Sequence, residues 1–260
     1  KYLGLSVFRA REEIIKDLKD SGKLVKIEPL NHSVGVCYRC KNTIEPLIIT
    51  QWFIKIEKLA KPALDAVKNK KTKIFPKERF EKMYKDWMEN IYDWNISRQI
   101  IWGPQIPAWY CLDCNPNISI NFLSKKGEKI NGKYNELIKK YTFKEIKEGL
   151  QNLSADEKTI YSLEDKQCKK CKGKNILQET DTFDTWFLSG QWPITTLGYP
   201  NSKDFKIFYP TSVLDTLWDI LFFWVARMMM FGIYLTKKVP FKVVHIHSRV
   251  TDQKGQKMSK

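Results

Sequence analysis

Six cysteines fall into three C-x-x-C pairs, Cys37/Cys40, Cys111/Cys114 and Cys168/Cys171. That spacing sets two thiolates on one side of a tight turn, and two such knuckles complete a tetrahedral Zn²⁺ site. Disulfides are the weaker reading, because nothing in the sequence argues for secretion. Cys111, Cys114, Cys168 and Cys171 are therefore expected to hold a structural Zn²⁺. Cys37 and Cys40 lack a second pair and stay open between a half-site and reduced thiols. His32, five residues before Cys37, reads as an ordinary surface or core histidine rather than a ligand.

Three other places carry chemistry. The chain closes on QKGQKMSK, with ammonium groups at Lys257 and Lys260 flanking Met258 and Ser259. A loop of this kind can close on a triphosphate and stabilise charge that builds during phosphoryl chemistry; a solvated tail explains it equally well. Asp219 sits just inside an apolar run. A carboxylate there must cap a helix, pair, or bind something such as sugar hydroxyls, and capping is the reading the residues alone favour. Trp186, in DTFDTWF, either walls a small apolar pocket or fills core, the commoner fate of a tryptophan.

The surrounding pattern is α/β. Ser6 to Leu24 reads as an amphipathic helix, with Ala10, Ile14 and Leu18 on one face and Gly22 near its end. Ile56 to Asn69 and Pro76 to Asn90 read as two further helices. Asn95 to Cys114 is expected to be extended and turn-rich. Lys125 to Gln167 is charged and reads as an insertion between the two halves of a metal ribbon. Its capping boxes TFKE (Thr142 to Glu145) and SADE (Ser154 to Glu157) predict short helices. Asp219 to Leu235 predicts a long buried helix, and Lys242 to Ile246 a β-branched strand. Strand, helix, strand and polar loop in that order suit half of a doubly wound sheet.

The chain has 260 residues and a net charge of +16. Such a charge points to an anionic partner, nucleic acid first, or to a lysine-rich solvated surface. The most apolar stretch, Trp218 to Leu235, holds Asp219 and Arg227 and reads as a core helix rather than a membrane span.

Several stretches together resemble the valyl-tRNA synthetases, a class I aminoacyl-tRNA synthetase family: ISRQIIWGPQIPAWYC, DTFDTWFLSGQWPITTLGYP, FYPTSVLDTLWDILFFWVARM, HSVGVCYRC and the closing KMSK. The resemblance implies the second half of a Rossmann-type nucleotide-binding core with zinc-ribbon and helical connective insertions. It divides the chain into the end of an editing domain (1–56), a helical connective segment (57–100), a zinc ribbon (101–180) and half of the catalytic core (181–260).

The implied parent activates valine with ATP and Mg²⁺, transfers it to tRNA(Val) and hydrolyses mischarged threonine; it works as a cytoplasmic monomer. This chain reads as a fragment, inactive alone because the HIGH half of the site is missing. Carried over by motif, Lys257 and Lys260 meet the phosphates, and Met258 and Ser259 complete that loop. Asp219 holds the ribose with Thr216 nearby, and His247 approaches adenine. Trp186 and Ile220 line the valine pocket. Leu217 stands where the family has glycine, and the family's IHGLV reads IHSRV, with Ser248 and Arg249. The rival readings are an isoleucyl or leucyl enzyme of the same subgroup, and a non-catalytic zinc-ribbon module that binds RNA.

Overall fold

The computed structural model describes residues 1–37, 39–45, 48–155, 159–163, 167–256 and 258. The chain divides into two compact units, Lys1–Ile48 and Ile49–Lys260.

In the first unit the predicted helix forms over Val7–Asp20, with Ser6 accepting from the Arg9 N–H at its start. It ends before Leu24 because Gly22 takes a left-handed φ of +66°. Asp17 ties it to the N-terminus, accepting from Lys1 Nζ and Tyr2 Oη.

The second unit is built around a three-stranded parallel sheet in the order Thr211–Leu217, Phe241–His247, Lys73–Phe75. The last of these strands has no counterpart in the sequence reading, since three residues give too short a pattern to announce one. Strand alternation sorts the two faces. Leu214, Thr216, Val244, Ile246 and Ile74 are buried, while Val213, Asp215, His245 and His247 are exposed. The predicted helix over 56–69 is observed as Glu57–Lys68, burying Leu59, Ala60, Ala63, Ala66 and Val67. The next helix begins with a π turn at Lys77–Glu81 and continues as Lys82–Glu89.

The adjacent parallel strands Thr211–Leu217 and Phe241–His247 are joined through the long apolar segment. It is helical from Trp218 to Thr236, in three geometries: a 3₁₀ turn Trp218–Ile220, a π turn Leu221–Ala226 and an α-helix Arg227–Thr236. By length and composition it could cross a membrane. It serves instead as a core helix: Leu221, Val225, Ala226, Met228 and Met229 have no exposure and pack in one cluster with the sheet and the Glu57–Lys68 helix. A helix apolar on nearly all sides is satisfied only by burial of this kind.

Two three-stranded antiparallel sheets complete the unit, with two short antiparallel pairs, Phe53–Ile54 with Trp94–Asn95 and Ser97–Arg98 with Thr182–Phe183. One orders Ile176–Gln178, Trp109–Cys111 and Tyr161–Ser162, and carries the cysteines. The other orders Lys129–Lys133, Ser119–Leu123 and Leu150–Ser154. The charged insertion therefore packs a core of Ile118, Ile120, Phe122, Tyr134, Leu137, Ile146 and Leu153, shared with Tyr110, Leu112 and Leu177 of the ribbon, where the sequence predicted only short helices. One of these is present: Phe143–Gly149, with both reciprocal bonds of the Thr142/Glu145 capping box. It runs so close to the sheet that a Cβ on Gly149 would strike the Leu123 carbonyl oxygen. Ser154 of the second box ends a strand; Asp156 and Glu157 lie outside the described residues.

Candidate functional site

The four ribbon cysteines converge. Their sulfurs lie within 4.8 Å of one another, with Cys111 to Cys171 at 3.5 Å and Cys114 to Cys168 at 3.8 Å. Zn–S bonds of about 2.3 Å at tetrahedral angles separate sulfurs by about 3.8 Å, so the donor set fits one such ion. The second knuckle is shaped by backbone. The Lys172 N–H returns to the Cys168 carbonyl at 2.9 Å, and Lys172 is left-handed at φ +60°. A Cβ on Gly173 would collide with Asp113 and crowd Cys171 Sγ. Backbone N–H donors, Cys171 first, pull Cys168 down to about 6. Burial pushes Cys111 up to about 12.

Cys37 and Cys40 adopt the same turn. Lys41 N–H donates to the Cys37 carbonyl at 2.8 Å and Lys41 sits at φ +60°. The backbone is that of a metal knuckle, but no further ligand joins it among the described residues.

At the carboxyl end of the parallel sheet, Leu217 lies in register with His247. Asp219 is two residues past the first and Arg249 two past the second. Arg249 donates to Asp219 Oδ2 at 2.7 Å. This corrects the capping expected of Asp219: the helical segment has no side-chain cap at its start. His247 is exposed, its Nδ1 2.9 Å from the Ser248 carbonyl. Thr216 is buried, on the core face of its strand. The loop leaves from here, with Met258 N–H reaching the Val250 carbonyl at 3.4 Å. Lys257, Ser259 and Lys260 lie outside the described residues.

Trp186, in the short helix Thr185–Ser189, stacks on Phe223 of the long helical segment, ring centres 5.6 Å apart. Both line a cavity of about 600 Å³ with Phe222, Arg98, Asp184 and Arg227. Ile220 is half-buried one position before the π turn and is not among the residues lining that cavity. Sequence reasoning missed the polar half of the cavity. Asp184 is buried, accepting from Trp94 Nε1 at 3.1 Å and pairing with Arg98 at 3.2 Å. Arg227 lies 4.0 Å over the Trp94 ring, and burial lowers it to about 10. It also missed Asp215, whose carboxylate meets His245 Nδ1 at 2.6 Å on the exposed sheet face; only the strand register shows that pair.

A second cavity, of about 870 Å³, opens at the amino end of the same strands, beside Pro210, Lys71 and Lys242. Lys61, Lys237 and Lys238 also line it, against the single carboxylate of Asp65.

Comparison with known proteins identifies the family. The family model of tRNA synthetases class I (I, L, M and V) matches residues 8–260. Valine–tRNA ligases of Clostridium acetobutylicum, Desulfotalea psychrophila and Clostridium tetani are 46%, 44% and 44% identical over 100% of this chain. The chain spans 25% of the length of each. A solved LeuRS–tRNA–LeuAMS complex from Agrobacterium radiobacter K84 is similar over 65% of this chain and 21% of that one, at 19% identity and a TM-score of 0.41.

Proposed function

The chain belongs to the class I tRNA synthetases of the isoleucine, leucine, methionine and valine group, and from that premise we propose that it is the part of a valine–tRNA ligase carrying a zinc ribbon and the second half of a Rossmann-type core. The parent joins valine to ATP, releasing pyrophosphate, and then transfers the activated carboxyl to the terminal adenosine of tRNA(Val). It works in the cytoplasm as a monomer.

The observation that carries the reading is the carboxyl end of the parallel strands, where Leu217 and His247 are in register and Asp219 follows the first within two residues, beside the start of the closing loop. Open α/β sheets hold nucleotides at that end. In this reading Asp219 takes the ATP ribose, with Thr216 behind it and His247 toward adenine. Lys257 and Lys260, with Met258 and Ser259 between them, close over the phosphates and their Mg²⁺. Trp186 and Ile220 wall the valine side chain, where a dry, shaped slot excludes larger residues by steric contact. Such a slot rejects threonine only about 100-fold, which is why the parent also edits. Cys111, Cys114, Cys168 and Cys171 hold Zn²⁺, which would pin the ribbon to one geometry. The net charge of +16 and the lysine-lined cavity suit a polyanionic partner such as tRNA.

ATP–pyrophosphate exchange by the full-length parent tests this, with valine, isoleucine and leucine compared. Valine is expected to be fastest, and the 260-residue chain alone is expected to stay at background. Equal turnover of isoleucine or leucine sinks the valine assignment; exchange by the isolated chain sinks the incomplete site.

A further inference from the structure

The contact between Arg249 and Asp219 is one-sided. Only Oδ2 is engaged, at 2.7 Å. Asp219 Oδ1 and Arg249 Nε are both sealed from solvent, and neither has a hydrogen-bond partner among the described residues. A sealed polar atom on a charged group weakens the state that contains it, because water satisfied that atom before. The pair also bridges the carboxyl ends of two adjacent strands. Its members stand two residues beyond Leu217 and His247, which are directly in register on adjacent parallel strands. Trp218 backs the guanidinium, with its ring centre 5.8 Å away.

We propose that Arg249 gates this end of the sheet: it occupies the carboxylate of Asp219 when no nucleotide is bound, and a ribose reaches that carboxylate only by displacing it. The proposal rests on the reading of Asp219 as the ribose-binding acid. Displacement is favoured by the defect in the closed pair. A ribose diol offers two hydroxyl donors, enough for both carboxylate oxygens, and the released guanidinium regains solvent for Nε. If the gate is closed about nine-tenths of the time, the apparent dissociation constant is about tenfold weaker than that of the open site.

Adenosine is the probe, because it carries the ribose and no charge, so its own contacts respond little to salt. Its binding to the purified chain is measured by titration calorimetry at low and high ionic strength, for wild type and for Arg249→Leu, Arg249→Lys and Asp219→Ala. An ion-pair gate loosens with salt. The wild type is therefore expected to bind adenosine more tightly as salt rises, while R249L binds about tenfold more tightly and is indifferent to salt. R249K, which keeps the charge, is expected to recover the salt response; a residue that merely props the fold would show no such rescue. Unchanged or weaker binding by R249L, or a salt-indifferent wild type, overturns the gate. If D219A binds adenosine as well as the wild type does, or no variant binds it, the ribose reading falls too. Loss in D219A with no gain in R249L would fault the gate alone.

Discussion

Trp186 and Phe223 lie ring against ring, with centres 5.6 Å apart and planes 28° from parallel. The stack joins the Thr185–Ser189 helix to the π turn that begins two residues after Asp219. The wall proposed for the amino-acid side chain is thereby fixed to the segment that carries the nucleotide acid. Trp186→Ala in the full-length parent is expected to raise the KM for valine at least about tenfold and to cost stability of about 1–3 kcal/mol through the lost stack and burial. Trp186→Phe keeps a ring and should recover most of both. Valine titrations of the exchange reaction, with urea melts alongside, decide it; a normal KM in the alanine variant removes Trp186 from the pocket.

Metal removal should act locally. The ribbon strands bury Tyr110 and Leu177 in the core they share with the insertion, while the sulfur side clusters only Cys111, Cys168 and Ile176, with Cys114 beside them, so the metal is the main cross-link between the two knuckles. Chelation is expected to release one equivalent of zinc and to raise amide exchange over residues 109–115 and 167–178, leaving the strands at 211–217 and 241–247 protected. Cys168→Ser should have the same effect. Full protection after chelation would show that the ribbon stands without metal.

Asp181 gives a pH test. Burial raises its carboxyl above the usual value, against the opposing hydrogen bond from Gln99 at 2.7 Å. A folded-state pKa above the unfolded one means the native state gives up its proton later, so ionisation of Asp181 costs stability as pH rises through the folded value. Asp181→Asn is expected to stabilise the chain at pH 7, with the gain shrinking as pH falls toward 4, near the unfolded value. Urea denaturation midpoints at several pH values measure it; a destabilised variant at pH 7 would mean that the Gln99 bond outweighs burial.

The capping box of the insertion makes a smaller claim. Thr142 Oγ1 accepts from the Glu145 N–H at 3.2 Å, and Glu145 Oε2 accepts from the Thr142 N–H at 3.0 Å. Thr142→Ala should cost about 1 kcal/mol, seen as faster exchange across Phe143–Gly149 with the parallel sheet unaffected.

The lysine-lined cavity bears on the RNA partner. Lys238 and Lys242 face it from the two sides of Pro240. Reversal of both charges to Glu is expected to weaken tRNA binding and to flatten the dependence of log K on log salt by about 1.4–1.8, since each lost phosphate contact removes about 0.7–0.9. The same pair of changes should leave the salt response of adenosine alone. An unchanged slope would assign those lysines to the solvated surface.

Much of this was legible beforehand because it depends on short-range pattern. The C-x-x-C spacing dictates a knuckle whatever surrounds it, and the Thr142 box dictates its own helix start. The apolar run from Trp218 demanded burial. The insertion's core was only half legible for a definable reason: Tyr134, Leu137, Ile146 and Leu153 lie inside the charged stretch, but Ile118, Ile120 and Phe122, which they pack against, precede it. The strand at Lys73–Phe75 was missed because pairing with Phe241–His247, rather than local propensity, makes those residues a strand.

The sequence by itself determined which residues could bind metal and which segments had to be buried, since both follow from side-chain chemistry and from spacing within one element. Only the tertiary structure decided that Asp219 meets Arg249, that Trp186 stacks on Phe223 and that Asp184 joins Trp94 and Arg98. Each of those contacts joins residues dozens of positions apart. Its energy depends on the register and crossing of whole elements, which no local window contains.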